Sequence, residues 1–245
     1  MDRVIGFLRE KNILPEENAE AELARIEKTL SGYMEGILSW NEKINLTSIT
    51  DRDEFIDKHF LDSYGPAAEE EILSAECIAD IGTGGGFPGI PLAVLFPEKK
   101  FILIDSLAKR LKVIDRLCEE LGISNVTTVH GRAEELAGKK GELREVFDAA
   151  VSRAVAPMVS LLELCLPFVR KGGAFISYKG RELETELEDA AHAMEVLGGR
   201  LDRIVSAGAG ENMSGHALAG IKKESLTPAK YPRKPGDPIR KPIHK

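Results

Sequence analysis

The spacing of apolar residues divides the chain into a helical first part and an alternating second part. Between residues 16 and 46, apolar side chains recur every three or four positions among Glu and Lys, which predicts an amphipathic helix. A second helix is expected from about Asp53 to Tyr64, where Gly65 and Pro66 end it. Together these segments predict an N-terminal helical cap over residues 1–70.

From residue 76 onward, short apolar runs alternate with helical stretches. The predicted elements, in chain order, span residues 77–81, 88–96, 100–105, 108–121, 126–130, 146–152, 157–169, 173–178 and 181–197. Such alternation is typical of an α/β fold with a doubly wound, mostly parallel sheet. Two further strands, 201–206 and 217–223, follow each other closely enough to pair antiparallel. We expect this domain to span residues 71–225.

The net charge of −7 conceals a basic C-terminal segment. Residues 222–245 contain eight Lys or Arg and two acidic residues, which leaves about −13 for the rest of the chain. A basic segment can neutralise nucleic-acid phosphates even when the whole protein is acidic. The prolines at positions 228, 232, 235, 238 and 242 exclude a continuous helix. We therefore predict a basic, proline-rich extended arm over residues 226–245.

Other features of the composition narrow the class of protein. No apolar run reaches the 18 to 20 residues of a membrane span, and the N-terminus lacks the pattern of a signal peptide, so a cytoplasmic protein is expected. The three cysteines lie more than 40 residues apart, so neither a disulfide framework nor a metal site is predicted.

The most informative motif is a glycine-rich junction between the first strand and the next helix, DIGTGGGFPG from Asp80 to Gly89. Such glycine density admits a ligand against bare backbone. The spacing Gly84-x-Gly86-x-x-Gly89 also fits a dinucleotide fingerprint. Pro88, however, has no amide hydrogen where that fingerprint presents amides to a pyrophosphate. S-adenosylmethionine fits better, because Asp80 is placed to interact with the ammonium group of its methionine tail.

The residues that follow the second strand point to a nucleoside. In a doubly wound sheet, ligands bind beyond the carboxyl ends of the strands. Asp105, before Ser106 and Leu107, can accept hydrogen bonds from both ribose hydroxyls, and its alternative role is to cap the next helix.

The third and fourth strands end in further candidates. Ala133 and Glu134 open a helix after the third strand, where they could read an adenine edge, although an exposed first-turn acid is the alternative for Glu134. Arg153 ends the fourth strand, where it could bind the donor carboxylate, an RNA phosphate or a surface acid.

These motifs resemble those of a known family. Asp80-x-Gly82-x-Gly84-x-Gly86 is similar to the first motif of class I S-adenosylmethionine-dependent methyltransferases, which have a Rossmann-like fold. Over residues 30–245, the chain resembles the RsmG (GidB) family of bacterial 16S rRNA methyltransferases. The motifs that carry the resemblance are NLT (45–47), HxxDS (59–63), the loop 82–91, DSxxKR (105–110), SRA (152–154), YKG (178–180), YPRK (231–234), and Gly236, Pro238 and Lys241-Pro242.

The resemblance implies methyl transfer to N7 of a guanosine, position 527 in the 530 loop of 16S ribosomal RNA. Guanine N7 carries a lone pair and no proton, so the reaction needs orientation rather than a general base. The sequence offers no obvious base: no Asn/Asp-Pro-Pro-aromatic motif follows the fourth strand, and no cysteine follows a proline. No catalytic base is therefore assigned, and Arg153 and Lys179 are positioning candidates.

The resemblance and the chemistry of the residues together predict contacts with the donor and with RNA. The expected donor contacts are Asp80, Gly82, Gly84, Phe87, Asp105, Ser106, Leu107, Ala133, Glu134 and Arg153. The expected RNA contacts are Asn45, His59, Lys179, Arg181, Arg233, Lys234, Arg240 and Lys241. His59 lies on an apolar helical stripe, so a buried structural histidine is equally open.

The expected partner is 16S rRNA, the 30S subunit or an assembly intermediate. No membrane association is expected, and a monomer is favoured. An NAD-dependent oxidoreductase and a noncatalytic ribosome-associated RNA-binding protein remain alternatives.

Overall fold

The computed structural model describes residues 1–14, 16–180, 182–206 and 217–244. In these ranges, helices cover both faces of one seven-stranded sheet. The strands are β1 (Cys77–Ile81), β2 (Lys100–Asp105), β3 (Val126–His130), β4 (Phe147–Arg153), β5 (Val169–Lys179), β6 (Gly199–Ser206) and β7 (Ala217–Lys223). The α-helices are α1 (Asp2–Lys11), α2 (Ala19–Asn41), α3 (Arg52–Phe55), α4 (Glu70–Leu73), α5 (Gly89–Leu95), α6 (Ala108–Leu121), α7 (Ala133–Leu136), α8 (Met158–Cys165), α9 (Leu183–Val196) and α10 (Asp237–Arg240).

The strand order is β3-β2-β1-β4-β5-β7-β6. Strands β1 to β5 run parallel, and β7 pairs antiparallel with both β5 and β6. The chain builds outward from β1 to β3 and then crosses to β4 on the other side. The carboxyl ends of β1 and β4 therefore flank a crevice, where ligands bind in folds of this kind. The predicted fold class, including the antiparallel C-terminal pair, is confirmed.

Element boundaries differ from the predictions where glycine or proline interrupts the pattern. The strand predicted over 173–178 begins at Val169, and its added residues include Gly172 (φ +88°) and a shift of register with β4 between Phe147 and Ala149. The helix predicted over 157–169 ends at Cys165, and a 3₁₀ turn containing Pro167 follows it.

The helical cap packs against one face of the sheet through close helix contacts. On α2, Gly36 lies so near α6 that a Cβ atom there would stand 2.3 Å from Leu117 Cδ2. After α3, the chain continues as a π-helical turn, Ile56–Leu61, which carries His59. This wider turn is a form often found at functional sites.

The C-terminal segment, residues 224–244, packs on the sheet domain, which corrects the predicted extended arm. Thr227 and Ile243 are buried, and α10 forms a short helical turn. The guanidinium of Arg144 donates hydrogen bonds to the carbonyl oxygens of Thr227 (2.6 Å) and Tyr231 (2.8 Å). The prediction failed because proline content excludes a long helix without excluding docking of the segment. The division of the chain at residues 70 and 225 stays a prediction.

Within the described ranges, no helix is both long and apolar enough to cross a membrane.

Candidate functional site

The glycine-rich loop between β1 and α5 satisfies most of its own amides. Acceptors within the protein take the amide hydrogens of Gly82, Thr83, Gly84, Gly86, Phe87 and Gly89. Pro88, which has no amide hydrogen, lies between the last two. The loop therefore does not present a row of free amides to a pyrophosphate, in contrast to a dinucleotide-binding loop.

Asp80 lies fully buried beneath this loop. Its Oδ2 atom accepts hydrogen bonds from Thr83 Oγ1 (2.6 Å) and the Gly89 amide (2.8 Å). Its Oδ1 atom has no hydrogen-bond partner among the described residues. Burial raises the pKa of this carboxyl group to about 6. The site thus contains an oriented carboxylate with one unused acceptor, a feature that suits a cationic ligand group.

Asp105 connects the end of β2 to the same loop. Its Oδ2 atom accepts from the Gly84 amide at 3.0 Å, and its Oδ1 atom accepts from the Leu107 amide at 2.8 Å. Arg110 Nη1 lies 3.8 Å from Oδ2. Asp105 therefore closes the turn that precedes α6 and holds the glycine loop by a hydrogen bond, without capping the helix itself, and its binding of ribose stays a prediction.

A polar cluster joins the helical cap to the end of β4. The guanidinium of Arg153 donates to Asp62 Oδ2 (2.6 Å), to the carbonyl of Lys58 (2.7 Å) and to His59 Nδ1 (3.0 Å). His59 also stacks on Phe87, with ring centroids 4.2 Å apart and planes 8° apart. The cluster therefore fixes Arg153 and Phe87 relative to each other at the mouth of the crevice.

An open cavity of about 600 Å³ lies over the loop and this cluster. That size suits a small organic ligand. The lining residues are Leu46, Ile49, Lys58, His59, Asp62, Gly82, Thr83, Gly84, Gly85, Phe87, Arg110, Arg153, Ala154, Tyr178, Lys179, Gly180 and Ala217.

Comparison with known proteins decides which family has this crevice. Residues 26–214 match the family model described as rRNA small subunit methyltransferase G. A protein of that name from Clostridium novyi is 46% identical over 86% of each chain. One from Bacillus cytotoxicus is 44% identical over 87% of this chain and 89% of its own.

The chain belongs to the ribosomal RNA small subunit methyltransferase G family. A crystal structure of a candidate O-methyltransferase from Klebsiella pneumoniae has a TM-score of 0.52 to it, at 15% identity, over 79% of this chain and 90% of that one. That likeness concerns the fold. The family assignment confirms the predicted family and its methyl donor, S-adenosyl-L-methionine, and it excludes an NAD-dependent oxidoreductase.

The crevice of this methyltransferase fits its donor. The Oδ1 atom of Asp80 has no hydrogen-bond partner among the described residues and suits an ammonium group, although the side chain is fully buried beneath the loop and does not line the cavity. A Cβ atom at Gly84 would meet nothing within 4 Å, so the loop faces open space there. At Gly82, where φ is +75°, a Cβ atom would stand 2.5 Å from Val155 Cγ2, so a side chain would crowd the entrance. The assignment of donor contacts to individual residues stays a prediction.

The predicted contacts on the nucleoside side lie at the ends of β2 and β3. Leu107 is 51% exposed, Ser106 is exposed and Ala133 is half-buried. Glu134 is buried in the first turn of α7, where its Oε1 atom accepts from the amide of Gly236 at 2.8 Å. Glu134 is thus held by the C-terminal segment, in contrast to the exposed acid weighed above.

The predicted RNA contacts near the cavity differ in availability. Asn45 is exposed, and its carbonyl accepts from Arg110 Nε. Lys179 Nζ donates to the carbonyl of Ala156 and to Glu186 Oε2, both at 2.7 Å. His59 is enclosed by the cluster described above. Arg181 lies outside the described residues.

The predicted RNA contacts of the C-terminal segment fall into two groups. Lys234, Arg240 and Lys241 are exposed. Arg233 instead binds Glu163, a fully buried carboxylate on α8, with Nη2 to Oε2 at 2.5 Å. The exposed group suits phosphate, whereas Arg233 is committed to the fold.

Sequence reasoning missed the supporting role of Tyr33, and it identified Asp62 only as part of the HxxDS motif (59–63), without its partner. The hydroxyl of Tyr33, buried on α2, donates to the Gly85 carbonyl at 2.9 Å and so holds the glycine loop from the cap. Asp62 binds Arg153, which is 91 residues away in sequence. Helical spacing places Asp62 near Lys58 and His59 on one face, but its distant partner leaves no local signal.

Proposed function

We propose that this protein transfers the methyl group of S-adenosyl-L-methionine to N7 of guanosine 527, in the 530 loop of 16S ribosomal RNA. The observation that supports the N7 target best is that the titratable side chains lining the cavity are already engaged. These side chains are Lys58, His59, Asp62, Arg110, Arg153, Tyr178 and Lys179. A reaction at an atom without a proton needs no base from this set.

His59 illustrates the point. A guanidinium has no acceptor, so His59 Nδ1 accepts the hydrogen bond from Arg153 and the imidazole proton lies on Nε2. That nitrogen donates to Thr47 Oγ1 at 2.7 Å. Burial, with contributions from Arg153 and Lys58, lowers the pKa of His59 to about 3. Both ring nitrogens are occupied, which supports positioning rather than proton abstraction.

The donor supplies an electrophilic sulfonium methyl group. The protein's contribution is orientation: Asp80, buried beneath the loop, would hold the methionine ammonium group, and Arg153 and Phe87, which line the cavity, would position the guanine. Holding two reactants in line replaces a bimolecular encounter and can account for much of a rate enhancement.

The exposed Lys234, Arg240 and Lys241 supply contacts for RNA phosphates, and Asn45 supplies a polar contact at the crevice. We propose 16S rRNA within the 30S subunit or an assembly intermediate as the partner, a monomer as the active form, and the cytoplasm as the place of action.

A substrate lacking N7 tests this proposal. Purified protein is incubated with methyl-labelled donor and either 16S RNA or 30S subunits, in which guanosine 527 is native or replaced by 7-deazaguanosine. We expect label in the native substrate and none in the 7-deaza substrate. Equal labelling of both would show that another atom or another nucleotide receives the methyl group.

A further inference from the structure

The C-terminal segment, residues 224–244, reaches the donor side of the crevice through one hydrogen bond. Gly236 donates its amide to Glu134 Oε1 at 2.8 Å, and Glu134 is 8% exposed. This is the one side-chain hydrogen bond of Glu134 among the described residues, so Oε2 is left for a ligand. The segment thereby determines how the Glu134 carboxylate is oriented.

Glu134 lies next to the part of the site that holds the glycine loop. Glu134 is the third residue after Gly131, and the amide of Gly131 donates to the carbonyl of Asp105 at 3.1 Å. Asp105 in turn accepts from Gly84. The C-terminal segment is therefore connected to the glycine loop through hydrogen bonds at Glu134, Gly131 and Asp105 and through the backbone that joins residues 131 and 134.

A buried ion pair fastens the segment in this place. Glu163 lies on α8, where every residue is buried, and its side chain is 1% exposed. Arg233 donates to it from its backbone amide (2.7 Å) and from Nε (2.9 Å), and its Nη1 donates to the carbonyl of Lys241 (2.7 Å). In the described part of the chain, all hydrogen bonds to the Glu163 carboxylate come from Arg233.

The burial of Glu163 indicates that this contact is specific. An unpaired carboxylate inside an apolar helix face is strongly destabilising, so the segment must supply Arg233 for α8 to pack as it does. Arg233 and Gly236 are three residues apart, so fixing the first limits where the second can lie. The Arg233–Glu163 ion pair therefore fixes the segment in a position where the Gly236 amide reaches Glu134.

We propose that the C-terminal segment is a positioning element of the donor site, and that its docking and the binding of S-adenosylmethionine favour each other. Arg233 acts through Gly236 and Glu134 without touching the donor. This rests on the proposed role of Glu134 as a donor contact. Linkage makes the effect reciprocal: donor stabilises the docked segment, and the docked segment raises donor affinity by the same factor.

The test compares donor affinity of full-length variants by calorimetry without RNA. Arg233→Met alone leaves Glu163 buried and unpaired, so the principal variant is Glu163→Met with Arg233→Met, which removes both charges. Lys230→Met, which removes an exposed cation from the same segment, is the matched control. Thermal melts verify that each variant is folded at the temperature used.

We expect the double variant to bind S-adenosylmethionine about five- to tenfold more weakly, which lies at the lower end of the usual range of coupling. Lys230→Met should bind within twofold of the native chain. Native affinity in the folded double variant would overturn the proposal. Glu134→Ala distinguishes failure of the donor contact from failure of the coupling. If Glu134→Ala and the double variant both bind the donor normally, the role of Glu134 in the proposed site is wrong. If only Glu134→Ala binds weakly, the coupling alone is rejected.

Proteolysis supplies the reciprocal measurement. Trypsin cleavage of the Lys230–Tyr231 bond reports undocking, and S-adenosylhomocysteine serves as a nonreactive ligand. We expect this ligand to slow cleavage in the native chain and to have a smaller effect in the double variant. Equal cleavage rates with and without ligand in the native chain would contradict the coupling.

Discussion

A single neutral imidazole connects the helical cap to the catalytic crevice. His59 accepts from Arg153, donates to Thr47 and stacks on Phe87. The sequence left open whether this histidine contacts RNA or supports the fold. Its enclosure favours the supporting role, because both ring nitrogens already have partners.

Replacing His59 by Phe should separate stacking from hydrogen bonding. The phenyl ring preserves the contact with Phe87 but leaves the Arg153 donor without its acceptor. We expect the free energy of unfolding to fall by about 1–3 kcal/mol, the usual effect of an unpaired buried donor. Urea denaturation measures it, with His59→Gln as the control that keeps a donor and an acceptor. Equal stability of His59→Phe and native protein would contradict this role.

The Asp80 carboxyl predicts a pH dependence of donor binding. Its folded pKa of about 6 lies above the usual 3.8, so the folded state binds the proton more tightly and ionisation is disfavoured below pH 6. Donor affinity should therefore fall as pH decreases through about 6, because a neutral carboxyl attracts an ammonium group less. The α-amino and α-carboxyl groups of the donor do not titrate between pH 5 and 7.

Calorimetry across that range checks the prediction, and Asp80→Asn should bind more weakly with no such pH dependence. Stability is a poorer readout. Because the pKa of His59 is lowered to about 3, its contribution to the free energy of unfolding decreases as pH falls below 6.5. The contribution of Asp80, whose pKa is raised to about 6, increases as pH falls from about 6 to 3.8. A native affinity that does not change between pH 5 and 7 would argue against a charged Asp80 contact.

At the scale of elements, the C-terminal segment is the main difference between sequence and structure. Its anchor includes Lys223, a fully buried lysine that donates to the carbonyl of Leu166 at 2.7 Å and to Thr227. Thr227 donates its amide to Glu145 Oε1 at 2.6 Å. These contacts fasten the segment to the rest of the fold.

Truncation after Lys223 should therefore destabilise the fold, besides removing basic residues. Truncation leaves Glu163 without Arg233 and exposes the surface of α8 that the segment covers. We therefore expect a clearly lower melting temperature, measured by calorimetry. A truncated chain that melts at the native temperature would show that the segment docks only weakly.

Strong local patterns allowed much of the fold to be predicted. The bounds of β2, α6, β3 and β7 agree with the sequence prediction because each has a clear period and polar flanks. The start of β5 was missed because Arg170, Lys171 and two glycines lack strand character. The ion pair between Arg233 and Glu163 joins residues 70 positions apart, and no periodicity reports such a pairing.

For the whole molecule, charge is divided between an acidic body and a basic C-terminal segment. The net charge is −7, yet Lys234, Arg240 and Lys241 lie exposed on a segment that is docked on the rest of the fold. A docked basic surface requires less ordering on binding than a free arm would.

Changing Lys234, Arg240 and Lys241 together to Gln should weaken RNA binding and its salt dependence. Each lost phosphate contact should reduce the slope of log K against log salt by about 0.7 to 0.9. Filter binding to 16S RNA at several salt concentrations measures this. The control changes Lys11, Lys28 and Lys171, which are exposed elsewhere. Equal slopes for both variants would argue against a specific RNA surface.

The central claim concerns one atom of one nucleotide. Borohydride–aniline cleavage detects 7-methylguanosine, and primer extension locates the cleaved position in 16S rRNA. In cells that contain this protein we predict cleavage at guanosine 527, and in cells without its gene we predict none there. A cleavage signal at that position which persists unchanged without the protein would contradict the account.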